Sequence, residues 1–309
     1  MTTSSNIVAV VLLAGLVAGG PARAEDVKAP VSAPASPPVT APAPQAPAMQ
    51  DPSLPQELKA QPSPSDTRPP AASQEAQAAD PNACEVPPYL LASENPLTKV
   101  ADAIKTRQRL DILVVGSGSS VLAGPDGLST SYPARLEKAL RERLAGVTVN
   151  VSTDVQVKKT AAEVAEGLEK LAKDRRPTLV VWQTGTVDAV KSVDPDDFRA
   201  AIDDGVTALQ GAGADVLLMN LQYSPRMETM ITVAPYLDNM RVGAQEHNVP
   251  LFDRFAIMRH WNESGLFDLF NTHHGFGLAR RVHECLGQTL AAFVIEAAHV
   301  NTAELRIQR

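Results

Sequence analysis

A serine hydroxyl becomes a useful nucleophile only when a base takes its proton and nearby donors receive the charge that develops. The sequence offers such hydroxyls in the run Gly116-Ser117-Gly118-Ser119-Ser120. A Gly/Ser turn of this kind bares backbone N–H groups and hydroxyls together, so Ser117 and Ser119 are candidate nucleophiles and Gly118 a candidate oxyanion donor. The base would come from Asp268-Leu269-Phe270-Asn271-Thr272-His273-His274-Gly275, where His273 and His274 are two of the six histidines. Imidazole titrates near neutrality, which suits a general base. A third polar cluster, Thr184-Gly185-Thr186-Val187-Asp188, adds a tight-turn glycine and a carboxylate. Gly185 and Asp188 are candidate binding residues, with helix capping the structural alternative for Asp188. His283 falls inside a helical pattern and reads as packed structure.

Other chemistries fit less well. No Gly-Lys-Ser/Thr follows the first turn, which excludes a P-loop, and the third glycine of a dinucleotide fingerprint is missing. No pair of Cys or His has zinc-type spacing. No cofactor and no metal is therefore expected. A balance of 28 basic against 35 acidic residues, net −7, lacks the basic footprint of a nucleic-acid binder. Nothing in the sequence specifies an oligomeric state.

The elements that must position these residues alternate. Buried strands are read at 110–116, 147–152, 178–183, 215–220 and 249–252. Helices are read at 133–144, 160–173, 197–209, 227–246 and 276–298, by apolar spacing and by Pro, Thr or Asp at their starts. Strands alternating with helices imply an α/β domain whose central parallel sheet is covered on both faces. Ligands of such folds bind beyond the carboxyl ends of the strands. Functional residues are therefore expected just after Val115, Gln183, Asn220 and Phe252 and ahead of the last helix.

The remainder of the chain reads as an address and a spacer. Residues 7–18 are an apolar run short for a membrane span, followed by the small-x-small pattern Ala22-Arg23-Ala24. Residues 1–24 thus read as a signal peptide and the protein as exported, with a periplasmic location expected. Residues 25–83 hold 14 of the 25 prolines and no aromatic residue, the composition of a disordered or extended linker. No later segment is apolar enough for an integral membrane domain. The ordered domain is then 84–309. It carries both cysteines, Cys84 and Cys285, and an even count in an exported chain favours a disulfide between them.

The GSGSS turn, the SYPARL helix start at 131–136, VVWQTGT at 180–186, MRHW at 258–261 and the order of elements resemble the SGNH/GDSL hydrolases. The resemblance spans roughly 108–298. It implies a three-layer, flavodoxin-like SGNH-hydrolase fold with a central parallel sheet. In active members it implies ester hydrolysis by a Ser-His-Asp triad, with an oxyanion hole built from the nucleophile's backbone, a Gly and an Asn. An ester partner, small-molecule or polysaccharide, is implied only by this resemblance and the expected compartment. Laid on this chain, the nucleophile falls on Gly118, the oxyanion glycine within 155–158, the Asn on Val187, and the Asp and His on His274 and Gly277. All four positions depart from the family pattern. Two expectations follow. In one, the site is rebuilt from Ser117 or Ser119 with His273 or His274, and hydrolyses esters of acylated carbohydrate or envelope polymer. In the other, the fold is kept as a catalytically silent binding or scaffold protein.

Overall fold

The computed structural model describes residues 84–106, 109–270 and 275–301. The signal peptide and linker expected at 1–83, and His273 and His274, lie outside the described residues. The described chain opens with a 3-10 turn at Pro88–Leu90, followed by α1 (Thr98–Lys105), β1 (Arg109–Gly116) and a second 3-10 turn at Gly118–Ser120. There follow α2 (Gly127–Thr130), α3 (Tyr132–Arg143), β2 (Thr148–Val155), α4 (Ala161–Arg175) and β3 (Leu179–Gln183). After α5 (Thr186–Lys191) and α6 (Pro195–Gly211) come β4 (Asp215–Met219), α7 (Pro225–Met230), α8 (Ala234–Glu246) and β5 (Leu251–Phe252). The domain closes with α9 (Arg254–Glu263) and α10 (Gly275–Ala297).

All strand pairings are parallel, in the order β2-β1-β3-β4-β5. This is the expected α/β architecture. β1 connects outward to β2 on one side, and the chain then returns to β3 on the other. Right-handed crossovers therefore put α3 on the face opposite α4, α6 and α8. α3 packs against α10, α4 against α6, and α6 against α8. The reversal of direction leaves a crevice between the carboxyl ends of β1 and β3, where ligands of such sheets bind. β3 is buried at every residue, as a central strand covered on both faces must be.

Local chemistry accounts for the boundaries. Thr160 and Glu163 form a reciprocal capping box at α4, and Asp194 caps α6 through the Asp196 N–H. The span read as one helix at 227–246 is two. Ile231 is extended (φ −131°, ψ 135°) and Pro235 sits in the first turn of α8, where it cannot donate a helical hydrogen bond. α1, α2, α5 and α9 escaped the sequence reading. Each is ten residues or fewer, too short for a clear period.

Cys84 and Cys285 form the expected disulfide, with Cα atoms 5.0 Å apart and a separation of 201 in sequence. It ties the start of the described domain to the middle of α10. The Leu97 N–H reinforces that closure by donating to the Ala297 carbonyl at 2.9 Å.

Candidate functional site

β1 ends in Gly116, whose lack of a side chain is required. A Cβ there would lie 1.9 Å from Ser120 Oγ. The chain then turns through Ser117, whose Oγ receives the Ser119 N–H at 3.4 Å and starts the 3-10 turn. The next strand end supplies Gln183, a polar side chain only 4% exposed. Its amide Oε1 accepts the hydroxyls of Ser120 and Tyr132, each at 2.8 Å. Its Nε2 donates to Ser117 Oγ at 3.0 Å and Ser119 Oγ at 2.9 Å. All four valences of one amide are thus used to hold three serines and a tyrosine at the crevice. Burial raises the Tyr132 phenol above its ordinary value, so it stays neutral and donates.

The second group comes from β5 and α9. Asn220, at the end of β4 and buried, donates to Asp253 Oδ1 at 2.7 Å and accepts the Phe255 N–H at 2.9 Å. Asp253 in turn caps α9 by accepting the Ala256 N–H at 2.9 Å. Between these two braces sits Arg254, 1% exposed. Its Nη1 donates to Ser119 Oγ at 3.2 Å, its Nη2 to the Ser119 carbonyl at 3.5 Å and to Gln222 Oε1 at 3.3 Å. Its Nε is buried without a partner, and its guanidinium lies 5.9 Å from the Tyr132 ring centre. Burial lowers Arg254 to about 10, so it remains a cation at neutral pH. No carboxylate among the described residues pairs with it; its electrostatic partner is the neutral Tyr132.

His283, from α10, stands beside it. Its Nδ1 accepts the Tyr132 N–H at 3.0 Å, which places the remaining ring proton on Nε2. Burial, followed by the charge of Arg254, pulls His283 down to about 3, so it is neutral at pH 7. Arg254, His283 and Gln222 line a cleft of about 280 Å³ whose apolar lining includes Met258, Leu278 and Val282.

The structure thus brings Ser117 and Ser119 together, 3.2 Å apart at Oγ, with Gly118 exposed between them. Gly185 takes the left-handed conformation (φ +92°) at the start of α5. Asp188 is engaged elsewhere: it is buried, its Oδ1 accepts the Ala161 N–H at 2.8 Å at the start of α4, and desolvation raises it. Gly185 and Asp188 share a small crevice with Ser117 and Gln183. Leu269 and Gly275, which flank the segment containing His273 and His274, line the Arg254 cleft.

Four participants, Gln183, Tyr132, Arg254 and His283, went unread as site residues. One signal was available for Arg254. It follows Phe252 by two positions, at a strand end where functional groups were expected. Among the described residues no group of three or more His, Cys, Asp or Glu could hold a metal ion. No described helix is long and apolar enough to cross a membrane.

The model of the non-GDSL lipase-like family matches residues 83–300. No curated protein sequence matches the chain significantly. Among solved structures, a two-domain esterase (CEX) active on acetylated mannans is similar at a TM-score of 0.53 and 12% identity. That match covers 67% of this chain and 55% of the esterase, and bears on the fold alone. TesA is similar at a TM-score of 0.48 and 23% identity, over 59% of this chain and 99% of its own. Axe2, an acetyl-xylooligosaccharide esterase from Geobacillus stearmophilus, is similar at 0.48 and 17%, over 62% of this chain and 95% of its own. The fold is that of the SGNH-type esterases.

Proposed function

We propose that this chain, which belongs to the non-GDSL lipase-like family, hydrolyses an ester through Ser119. One observation carries the reading: Ser119 Oγ accepts both the Gln183 amide at 2.9 Å and the cationic Arg254 Nη1 at 3.2 Å. Two donors aimed at one hydroxyl oxygen, one of them charged and buried, favour its anionic form. They also leave the hydroxyl proton free to point towards Ser117 Oγ, 3.2 Å away.

In this reading Ser119 Oγ bonds to the acyl carbon and its proton passes to His273 or His274. The protonated imidazole then protonates the departing alcohol, and water, deprotonated by the same base, cleaves the acyl-enzyme and regenerates Ser119. Backbone N–H groups of the Ser117–Ser119 turn would receive the oxyanion. The substrate we propose is an acylated carbohydrate or envelope polymer. The expected export signal and the acetylated glycans on which similar esterases act support it. The location we propose is the periplasm, with residues 25–83 as the spacer.

The second reading, a silent SGNH-fold binding protein, is favoured by a separate observation. Val187 stands where the family's Asn would donate, Asp188 is tied to α4, and His283 uses Nδ1 on the Tyr132 backbone. Hydrolysis of p-nitrophenyl acetate decides between them. Wild type above background, with Ser119→Ala and His273→Ala/His274→Ala at background, supports the esterase. A wild-type rate equal to that of Ser119→Ala sinks it for short acyl esters and leaves the binding reading.

A further inference from the structure

Among the described residues, the guanidinium of Arg254 is a buried cation satisfied only by neutral acceptors. Its partners are a serine hydroxyl, a serine carbonyl and an amide oxygen, the last two at 3.5 and 3.3 Å. Nε has none. An uncompensated charge in a dry site is costly unless something opposes it. Among the described residues the neighbouring groups add donors and no opposing charge. Tyr132 is neutral, and His283 presents only an Nε2 proton because Nδ1 is already occupied. Gly275, the first residue of α10, lines the same cleft, so the positive end of that helix lies at its edge. The remainder of the lining is apolar, with Met258, Leu278 and Val282.

From this geometry we infer that the cleft beside Arg254 binds a carboxylate carrying an apolar tail. The half-buried Gln222 marks the route. Its amide oxygen holds the Nη2 hydrogen bond that a ligand carboxylate would take over, exchanging a long contact to a neutral acceptor for an ion-paired one at about 2.7–2.9 Å. The cleft volume of about 280 Å³ accommodates a short-chain acid. Binding requires no reaction at Ser119, and so stands apart from the hydrolysis proposed above.

Isothermal titration of the full chain at pH 7 with hexanoate and its uncharged analogue hexanamide tests this. Hexanoate binds at least about tenfold more tightly than hexanamide, the difference expected of one charge-assisted hydrogen bond. Arg254→Met abolishes hexanoate binding. Leu278→Trp, which keeps the cation but fills the cleft, weakens it about tenfold or more. Ser119→Ala, which also removes an acceptor from Arg254 Nη1, still binds hexanoate while losing any ester turnover, which separates this proposal from ester hydrolysis. Absence of hexanoate binding, equal affinity for hexanamide, or an unchanged affinity in Leu278→Trp overturns the inference. The last two comparisons stand even where Arg254→Met fails to fold.

Discussion

Lowering the pH from 7 to 5 should destabilise this protein through His283, and His283→Asn should remove that component. The ring is 6% exposed, and burial together with the charge of Arg254 holds it at about 3, against 6.5 when unfolded. Below about 3 both states carry the proton, and above about 6.5 neither does. In between, the unfolded chain binds a proton that the folded chain excludes. The contribution is therefore fully present above 6.5 and is lost as pH falls towards 3. At pH 5 the loss integrates to about 2 kcal/mol. For a domain of this size that corresponds to roughly 4–8 °C in melting temperature. Asn is the right replacement because its Oδ1 can still accept the Tyr132 N–H that Nδ1 now receives. Asp188 and Asp215, raised by burial, contribute with the opposite sign but are common to both proteins. Melting curves at pH 7, 6 and 5 should show wild type losing more stability than His283→Asn, whatever the variant's baseline. Parallel curves would refute the claim that this imidazole is held neutral.

Three further perturbations probe the same architecture. Gln183→Met should leave the buried Ser120 hydroxyl without its acceptor and Tyr132 with only its long 3.5 Å bond to Ser120 Oγ, costing about 1–3 kcal/mol, read by urea denaturation; a change under about 0.5 kcal/mol would contradict the network. Gly116→Ala puts a methyl 1.9 Å from Ser120 Oγ, so it should destabilise by roughly 1–3 kcal/mol and lower any turnover at Ser119; wild-type stability and turnover would contradict that packing. Reducing Cys84–Cys285 should cost roughly 2–4 kcal/mol, with two reactive thiols appearing only after reduction; thiols that react in denaturant without a reductant would rule out the bridge.

Much of the fold was legible because its signals are local. Leu110–Gly116 and Leu179–Gln183 are short apolar runs that only a covered parallel strand explains, and alternation with helices limits the topology. The break between α7 and α8 was missed because apolar spacing runs across Ile231 and Val233 while Pro235 restarts the helix. The serine turn was legible too, since Gly and Ser at a strand end are a local pattern.

Gln183 illustrates what was not. It could be read as the last residue of a strand. Its function as a four-valent clamp depends on Ser117, Ser119, Ser120 and Tyr132, between 51 and 66 positions away. Arg254 is further still, 135 positions from the serine it touches. As a letter it is an ordinary surface cation. Only the packing of α9, braced by Asn220 and Asp253, turns it into a buried charge with no counter-ion among the described residues. His283 changes in the same way, from one of six histidines to a neutral acceptor fixed by a backbone N–H in α3.

The amino-acid order by itself determined the layers, the sheet direction, the serine turn and the pairing of two cysteines. Each of these follows from periodicity, turn chemistry or an even count, which are properties of neighbours in sequence. Tertiary structure alone decided which serine is polarised, where the uncompensated cation lies and which imidazole is kept from its proton. Those depend on desolvation and on hydrogen bonds between distant segments, and neither exists until the sheet is assembled.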